Sequence, residues 1–386
     1  MSESTPSVGL RAAPHLAVVS MGYVMFGYAG VPEFFRSAYG IDYAAFGLLL
    51  SATLGPFVLV QWPASWLLAR TTTTRLLLVA TVAHAAVAVA LDVAPTYASV
   101  LALRTCWGLA GGAVLTVGAT HVARLYTGDA ASRQQGLYGG MITLGGAVGF
   151  LLAPRFIATT GGVGIHAAGA LLAVPTVVVL WRHRDDRLTG PRAADSGTPT
   201  LSVVTDPAVA LASLCYVAVI GSYLTLSTFV TAYFAGLGVV GPLNALVLGT
   251  ATLGRAAGGS AVFRLPLSDV GVIGAAAAVA VAGFALLAGL SGGPLLVVLP
   301  FVVMVAVSVP FGAIYNVAAG ATAAQGAALA TVVAVGNLAA LALPVVTGAI
   351  RDTTGDYGGA FALLVGLNAV ALVAALGLRR QTGGHR

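Results

Sequence analysis

Two arginines set inside apolar runs, Arg255 and Arg104, are the residues of this sequence with the clearest chemistry. Arg255 lies in the run 244–264, is followed by the glycine pair Gly258-Gly259, and Arg264 marks the end of that run. A charge within a membrane span costs several kcal/mol unless it meets a polar cavity or a partner, so it marks a candidate functional site. A guanidinium is planar, keeps its proton and offers five fixed donors, which suits a carboxylate or oxyanion held away from water. Arg255 therefore either faces the path of a solute or braces one end of its helix. Arg104 stands closer to the end of its own run, where a long side chain can snorkel. It is read as a brace or as a charge coupled to function. Glu33, three residues before Arg36, is an i,i+3 ion pair or, if half-buried, a proton carrier. His84 and His121 titrate in a range suited to proton transfer, although histidines on apolar helices more often serve packing.

Enzyme constellations are missing from the sequence: it has no paired-carboxylate motif, Walker loop, His-Glu-x-x-His or Cys/His cluster. No enzyme activity and no cofactor is expected. Cys106 and Cys215 each sit within apolar runs and read as packing residues, so neither a disulfide nor a metal framework follows.

The elements that position these residues follow from composition. Apolar residues make up 58% of the 386 and charged residues 8%, against roughly a quarter charged in soluble domains. With a mean hydropathy of +0.96 the chain is an integral membrane protein. Its apolar runs are long rather than short and alternating, which calls for helices and not a β-barrel. The net charge of +6 comes from arginine alone. These arginines are scattered between apolar runs instead of forming a stripe, so nucleic acid is not an expected partner.

Charge and Gly/Pro/Asp punctuation marks twelve spans, at roughly 16–35, 44–69, 76–93, 97–122, 135–157, 164–182, 207–234, 241–263, 270–290, 294–318, 326–350 and 359–378. Each is long enough for about 30 Å of hydrocarbon. The first is read as an uncleaved helix because another span follows it. Residues 182–206 are the least apolar stretch and separate a six-helix half, 1–181, from a second, 207–386. With the N-terminus inside, Arg11, Arg70, Arg75, Arg124, Arg133, Arg182, Arg184, Arg187, Arg192, Arg264, Arg379, Arg380 and Arg386 are cytoplasmic, and only Arg36, Arg155 and Arg351 lie outside. That asymmetry places both termini and the linker in the cytoplasm of a cell bounded by this plasma membrane.

The halves repeat. Gln135, Gly136, Gly146 and Pro154 recur as Gln325, Gly326, Gly336 and Pro344, and Arg70, Ser65 and Gln61 fall on Arg264, Gly259 and Arg255. Two halves related by an internal repeat put a ligand site near the bilayer midplane between them.

Span 2 ends in Ser65-Trp66-Leu67-Leu68-Ala69-Arg70 followed by four threonines and Arg75, and span 4 carries Arg104-Thr-Cys-Trp-Gly108-Leu-Ala-Gly111-Gly112. On these motifs, the span count and the central loop, the chain resembles the major facilitator superfamily over its whole length. The family's loop reads Gly-x-Leu-Ala-Asp-Arg-x-Gly-Arg-Arg; here Ala69, and Phe263 in the second half, stand where the latch Asp is expected. The span 4 run is similar to the family's Arg-x-x-x-Gly-x-x-x-Gly. Arg255-Ala256-Ala257-Gly258-Gly259 resembles the nitrate/nitrite porters and their cyanate-related neighbours, whose second arginine, in span 2, is here Gln61.

The resemblance implies an all-α fold of twelve transmembrane helices in two pseudo-symmetric halves, and a transporter that moves a small anionic or polar organic solute by alternating access. The expected solute contacts are Arg255, Gln61, Tyr28, Tyr223 and Asn337, and the expected coupling or gating residues are Arg104, Glu33, Arg70 and Arg264. The expected partners are the solute and the bilayer, with the protein a monomer. A drug or metabolite exporter of the same fold, and a membrane sensor that keeps the fold without transport, are the alternatives.

Overall fold

The computed structural model describes residues 7–126, 128–186, 188, 201–258 and 267–383. Arg264 and most of the 182–206 linker lie outside the described residues. In chain order the helices are α1 (Val8–Phe26), a 3-10 turn (Gly27–Gly30), α2 (Pro32–Tyr39), α3 (Tyr43–Leu59), α4 (Gln61–Leu68), α5 (Thr73–Leu91), α6 (Tyr97–Leu125), α7 (Gly128–Thr160) and α8 (Ala167–Arg182). They continue with α9 (Leu201–Val204), α10 (Pro207–Gly236), α11 (Leu243–Gly258), α12 (Asp269–Gly289), α13 (Leu295–Ser308), α14 (Phe311–Ala321), α15 (Gln325–Thr354) and α16 (Gly358–Gly383). Among the described residues there is no strand, and the twelve expected spans all fall on helix.

Helix starts follow from capping chemistry. The Ser7, Thr72 and Ser268 side chains accept backbone N–H groups at the heads of α1, α5 and α12, Thr96 and Ser99 form a capping box for α6, and Asp206 caps α10 ahead of Pro207. Prolines set the interruptions. Pro63 has no N–H for the carbonyl of Leu59, where α3 gives way to α4, and Pro310 falls in the break between α13 and α14. Eight helical stretches, one of them α13 and α14 taken together, are long and apolar enough to cross a membrane, or nine if the bent pair α2–α3 is one span, among the described residues. That pair turns by 103°. Gly40 permits the turn with a φ of +62°, and Asp42 caps the new helix through the Ala45 N–H at 2.8 Å.

The helices gather into two compact units, 1–31 with 52–193 and 32–51 with 194–386. Residues 32–51, which the sequence assigns to the first half, thus pack with the second. In the first unit α1 lies on α7 and α8, and α5 on α6 and α8. A Cβ at Gly22 would run into the carbonyl of Ile142, and one at Gly145 into that of Val19, so α1 and α7 meet backbone to backbone. In the second unit α10 lies on α15 and α16, α12 on α16, and α11 on α13. Gly47 faces the carbonyl of Pro344, and Gly348 that of Tyr43, which seats the start of α3 against α15.

Candidate functional site

Two arginine environments carry the polar chemistry, one in each unit. In the second, Gly254 and Gly258 of α11 face Ser308 and Val309 at the α13–α14 break, where a Cβ would clash. This close approach sets the half-buried Arg255 beside two rings, its guanidinium carbon 4.1 Å from the Phe311 centroid and 4.4 Å from that of Tyr223. A guanidinium that stacks on rings directs its N–H groups outward in its own plane. The phenol of Tyr315 donates to that of Tyr216 at 3.1 Å, and both lie within electrostatic reach of Arg255. Asn337 is buried in α15 directly after Gly336, whose bare Cα faces the Tyr216 ring. The described acidic residues of this unit, Glu33, Asp42, Asp206, Asp269, Asp352 and Asp356, all stand at or beside helix ends. Chemically the arrangement is an aromatic-walled cationic site.

In the first unit Arg104 is 1% exposed. One terminal nitrogen donates to the carbonyls of Val24 and Met25, each at 3.3 Å, where α1 gives way to the 3-10 turn. The other lies 3.1 Å from Nε2 of His166, and the Tyr28 ring centroid is 4.1 Å from the guanidinium carbon. His166 precedes α8 and is buried, with its Nδ1 2.8 Å from Oδ1 of Asp92. The same carboxylate accepts the backbone N–H groups of His166 at 2.9 Å and Ala167 at 2.7 Å, capping α8 from the end of α5.

The structure thus brings Arg255 together with Tyr223, and Tyr28 together with Arg104. Gln61 opens α4 half-buried in the first unit. Glu33 is exposed, pairs with Arg36 at 2.8 Å and accepts the Tyr43 hydroxyl at 2.6 Å, the surface ion-pair geometry rather than that of a buried carrier. Arg70 stacks on Trp66 with its guanidinium carbon 3.6 Å from the ring centroid, beside a cavity of about 440 Å³ that Arg75, Arg124 and Asp185 also line. His84 has both ring nitrogens engaged, Nδ1 accepting from Trp107 at 2.8 Å and Nε2 donating to the Ser20 hydroxyl at 2.7 Å, and His121 reaches the Leu10 carbonyl at 3.2 Å. Both pack.

The sequence model of the Major Facilitator Superfamily matches residues 15–330. The chain belongs to the Major Facilitator Superfamily. It is a multi-pass membrane transporter that works by alternating access. The superfamily fold is matched again by a crystal structure titled as a bacterial homolog to the human lysosomal transporter Spinster, in an inward-facing and occupied conformation, at 15% identity and a TM-score of 0.68 over 96% of each chain. No match was found among curated proteins.

For this superfamily member, sequence reasoning passed over Asp92, His166, Tyr216 and Phe311. Asp92 and His166 read as span ends, at the close of span 3 and the opening of span 6. That both ends lie on the same side of the membrane was the signal that could have paired them.

Proposed function

We propose that this transporter carries a small anionic or polar organic solute and that Arg255 is its anchor. The stacking of the Arg255 guanidinium beside Tyr223 and Phe311 supports the reading. The rings hold the cation in place, its planar donors suit a carboxylate or oxyanion, and the aromatic surface accommodates an organic portion. Asn337 is the further polar contact on this side, and Gln61, at the position related to Arg255 by the internal repeat, is the contact contributed by the first half. One guanidinium with one amide, in place of two guanidinium groups, suits a monoanion with a polar or organic tail. Kinship with the nitrate, nitrite and cyanate porters rests on the run Arg255 to Gly259 alone; the family match does not reach that branch. The distribution of arginine supports a plasma-membrane protein with both termini in the cytoplasm.

The test is solute counterflow in proteoliposomes, using hits from a thermal-shift panel of small anions, neutral polar metabolites and lipophilic cations. Arg255→Ala should abolish counterflow while expression stays intact. Transport unchanged by that substitution sinks the assignment. Stabilisation by lipophilic cations alone would favour an exporter, and no response to any solute a sensor.

A further inference from the structure

We propose that the cavity between the start of α5 and the end of α6 binds a phosphate monoester dianion, held by Arg70, Arg75 and Arg124. The cavity measures about 440 Å³ and lies wholly within the first unit, apart from the solute site proposed at Arg255. Its lining carries three guanidinium groups and one carboxylate, Asp185, which leaves two positive charges among the described residues.

That carboxylate is already shared. Asp185 accepts from one terminal nitrogen of Arg75, and Nε of Arg184 stands 3.7 Å from its other oxygen. Arg75 spends its own Nε on the Arg184 carbonyl at 3.1 Å, and its second terminal nitrogen bonds no described residue. Arg70 and Arg124 have no ion-pair partner among the described residues. Arg70 is steadied instead by the Trp66 ring, 3.6 Å from its guanidinium carbon, and stacking leaves all of its in-plane donors available. Arg124 is half-buried in the last turn of α6, where desolvation strengthens its pull on an anion. Thr72 caps α5 at the cavity wall, so the positive end of that helix dipole adds to the same field.

Charge and size together select the ligand class. A phosphate monoester carries about 1.5 to 2 negative charges near neutral pH and three acceptor oxygens, which matches two uncompensated guanidinium groups and the spare donor of Arg75. A carboxylate or a phosphodiester carries one charge and leaves one arginine uncompensated. The volume falls in the range of about 300–1,000 Å³ found for small-molecule sites, so a bare phosphate would not fill it. Ala69 and Leu188 supply apolar lining for the organic part of the ester. The bound dianion would tie the start of α5, the end of α6 and the segment that follows α8 to one another. A phosphorylated metabolite and a lipid with a monoester headgroup present the same chemistry.

Two arms on full-length protein at about pH 8, where the monoester is a dianion, separate those sources. In detergent, calorimetric titration uses glycerol 3-phosphate, with the diester glycerophosphoglycerol as the singly charged control. In phosphatidylcholine nanodiscs, native mass spectrometry counts retained phosphatidic acid against phosphatidylglycerol. The monoester should bind at one site about tenfold or more tightly than its diester control in at least one arm. Binding of glycerol 3-phosphate assigns the site to a soluble ester, and binding confined to phosphatidic acid assigns it to a lipid. Arg70→Gln and Arg124→Gln should each weaken the monoester about tenfold. Asp185→Asn, which removes the competing carboxylate from an exposed position, should tighten it several-fold. No monoester bound in either arm, equal affinity for monoester and diester, or arginine variants that bind as the native chain does overturns the proposal. Should the arginine variants fail to fold, Asp185→Asn decides alone, and affinity no tighter than native overturns it. Because no transported solute is present, these outcomes are independent of whether Arg255→Ala abolishes counterflow.

Discussion

Asp352, in the last turn of α15, accepts the backbone N–H groups of Tyr43 at 3.1 Å and of Ala44 at 2.9 Å. A helix near the start of the chain is thus capped by a carboxylate more than three hundred residues away. The cap is electrostatically apt, because the positive end of the α3 dipole meets a negative charge. Asp352→Ala should lower the stability of the full-length protein by about 1 kcal/mol, with Asp352→Asn retaining part of the loss, as read by denaturant unfolding in detergent.

Glycine contacts define the same seat. Gly47 and Gly348 bring α3 and α15 to backbone contact, so Gly348→Val should cost about 1–3 kcal/mol through overpacking. A cysteine introduced by Ser51→Cys, buried in the native chain, should become reactive to a thiol reagent in that background. Native Cys106 is exposed and must be replaced first.

At the proposed solute site the rings are expected to act on affinity. Phe311→Ala removes one face of the Arg255 stack, worth about 1 kcal/mol, so the Kd of the best panel hit should weaken about fivefold. Tyr223→Phe keeps its ring and should leave the Kd within about twofold, a direct measure of stacking against hydroxyl donation.

The Arg75–Asp185 pair should matter little. Its hydrogen bond holds the Asp185 carboxyl below the usual range, so whatever stability it gives is present above about pH 3.9 and fades as pH falls through the lowered value. Both side chains are more than half exposed, and Asp185→Asn should leave the Tm at neutral pH within error.

Hydrophobic run length and punctuation made the spans legible, because a bilayer-crossing helix must be apolar almost throughout. The internal repeat pointed to α7 and α15, each a long helix with a proline inside. What the sequence hid was pairing between residues far apart in it. Asp92 and His166 look like punctuation because each stands at a helix end, and only the packing of α5 on α8 turns them into partners. Arg255 was conspicuous as a charge among apolar residues, whereas Phe311 and Tyr216, apolar by type, were indistinguishable from ordinary packing residues until the α13–α14 break placed one against the guanidinium and the other within its field. Tyr28 was read as a solute contact, and the structure sets its ring against Arg104.

The glycine seam between α1 and α7 bears on how this gene can vary. At Gly22, Gly145 and Gly149 even the smallest side chain meets backbone atoms of the opposite helix, and at Gly30 it meets Phe150. In a saturation-mutagenesis library these positions should form a near-empty stripe, intolerant of alanine, while Gly139 on the same helix, where an added Cβ meets no atom within 4 Å, should accept alanine.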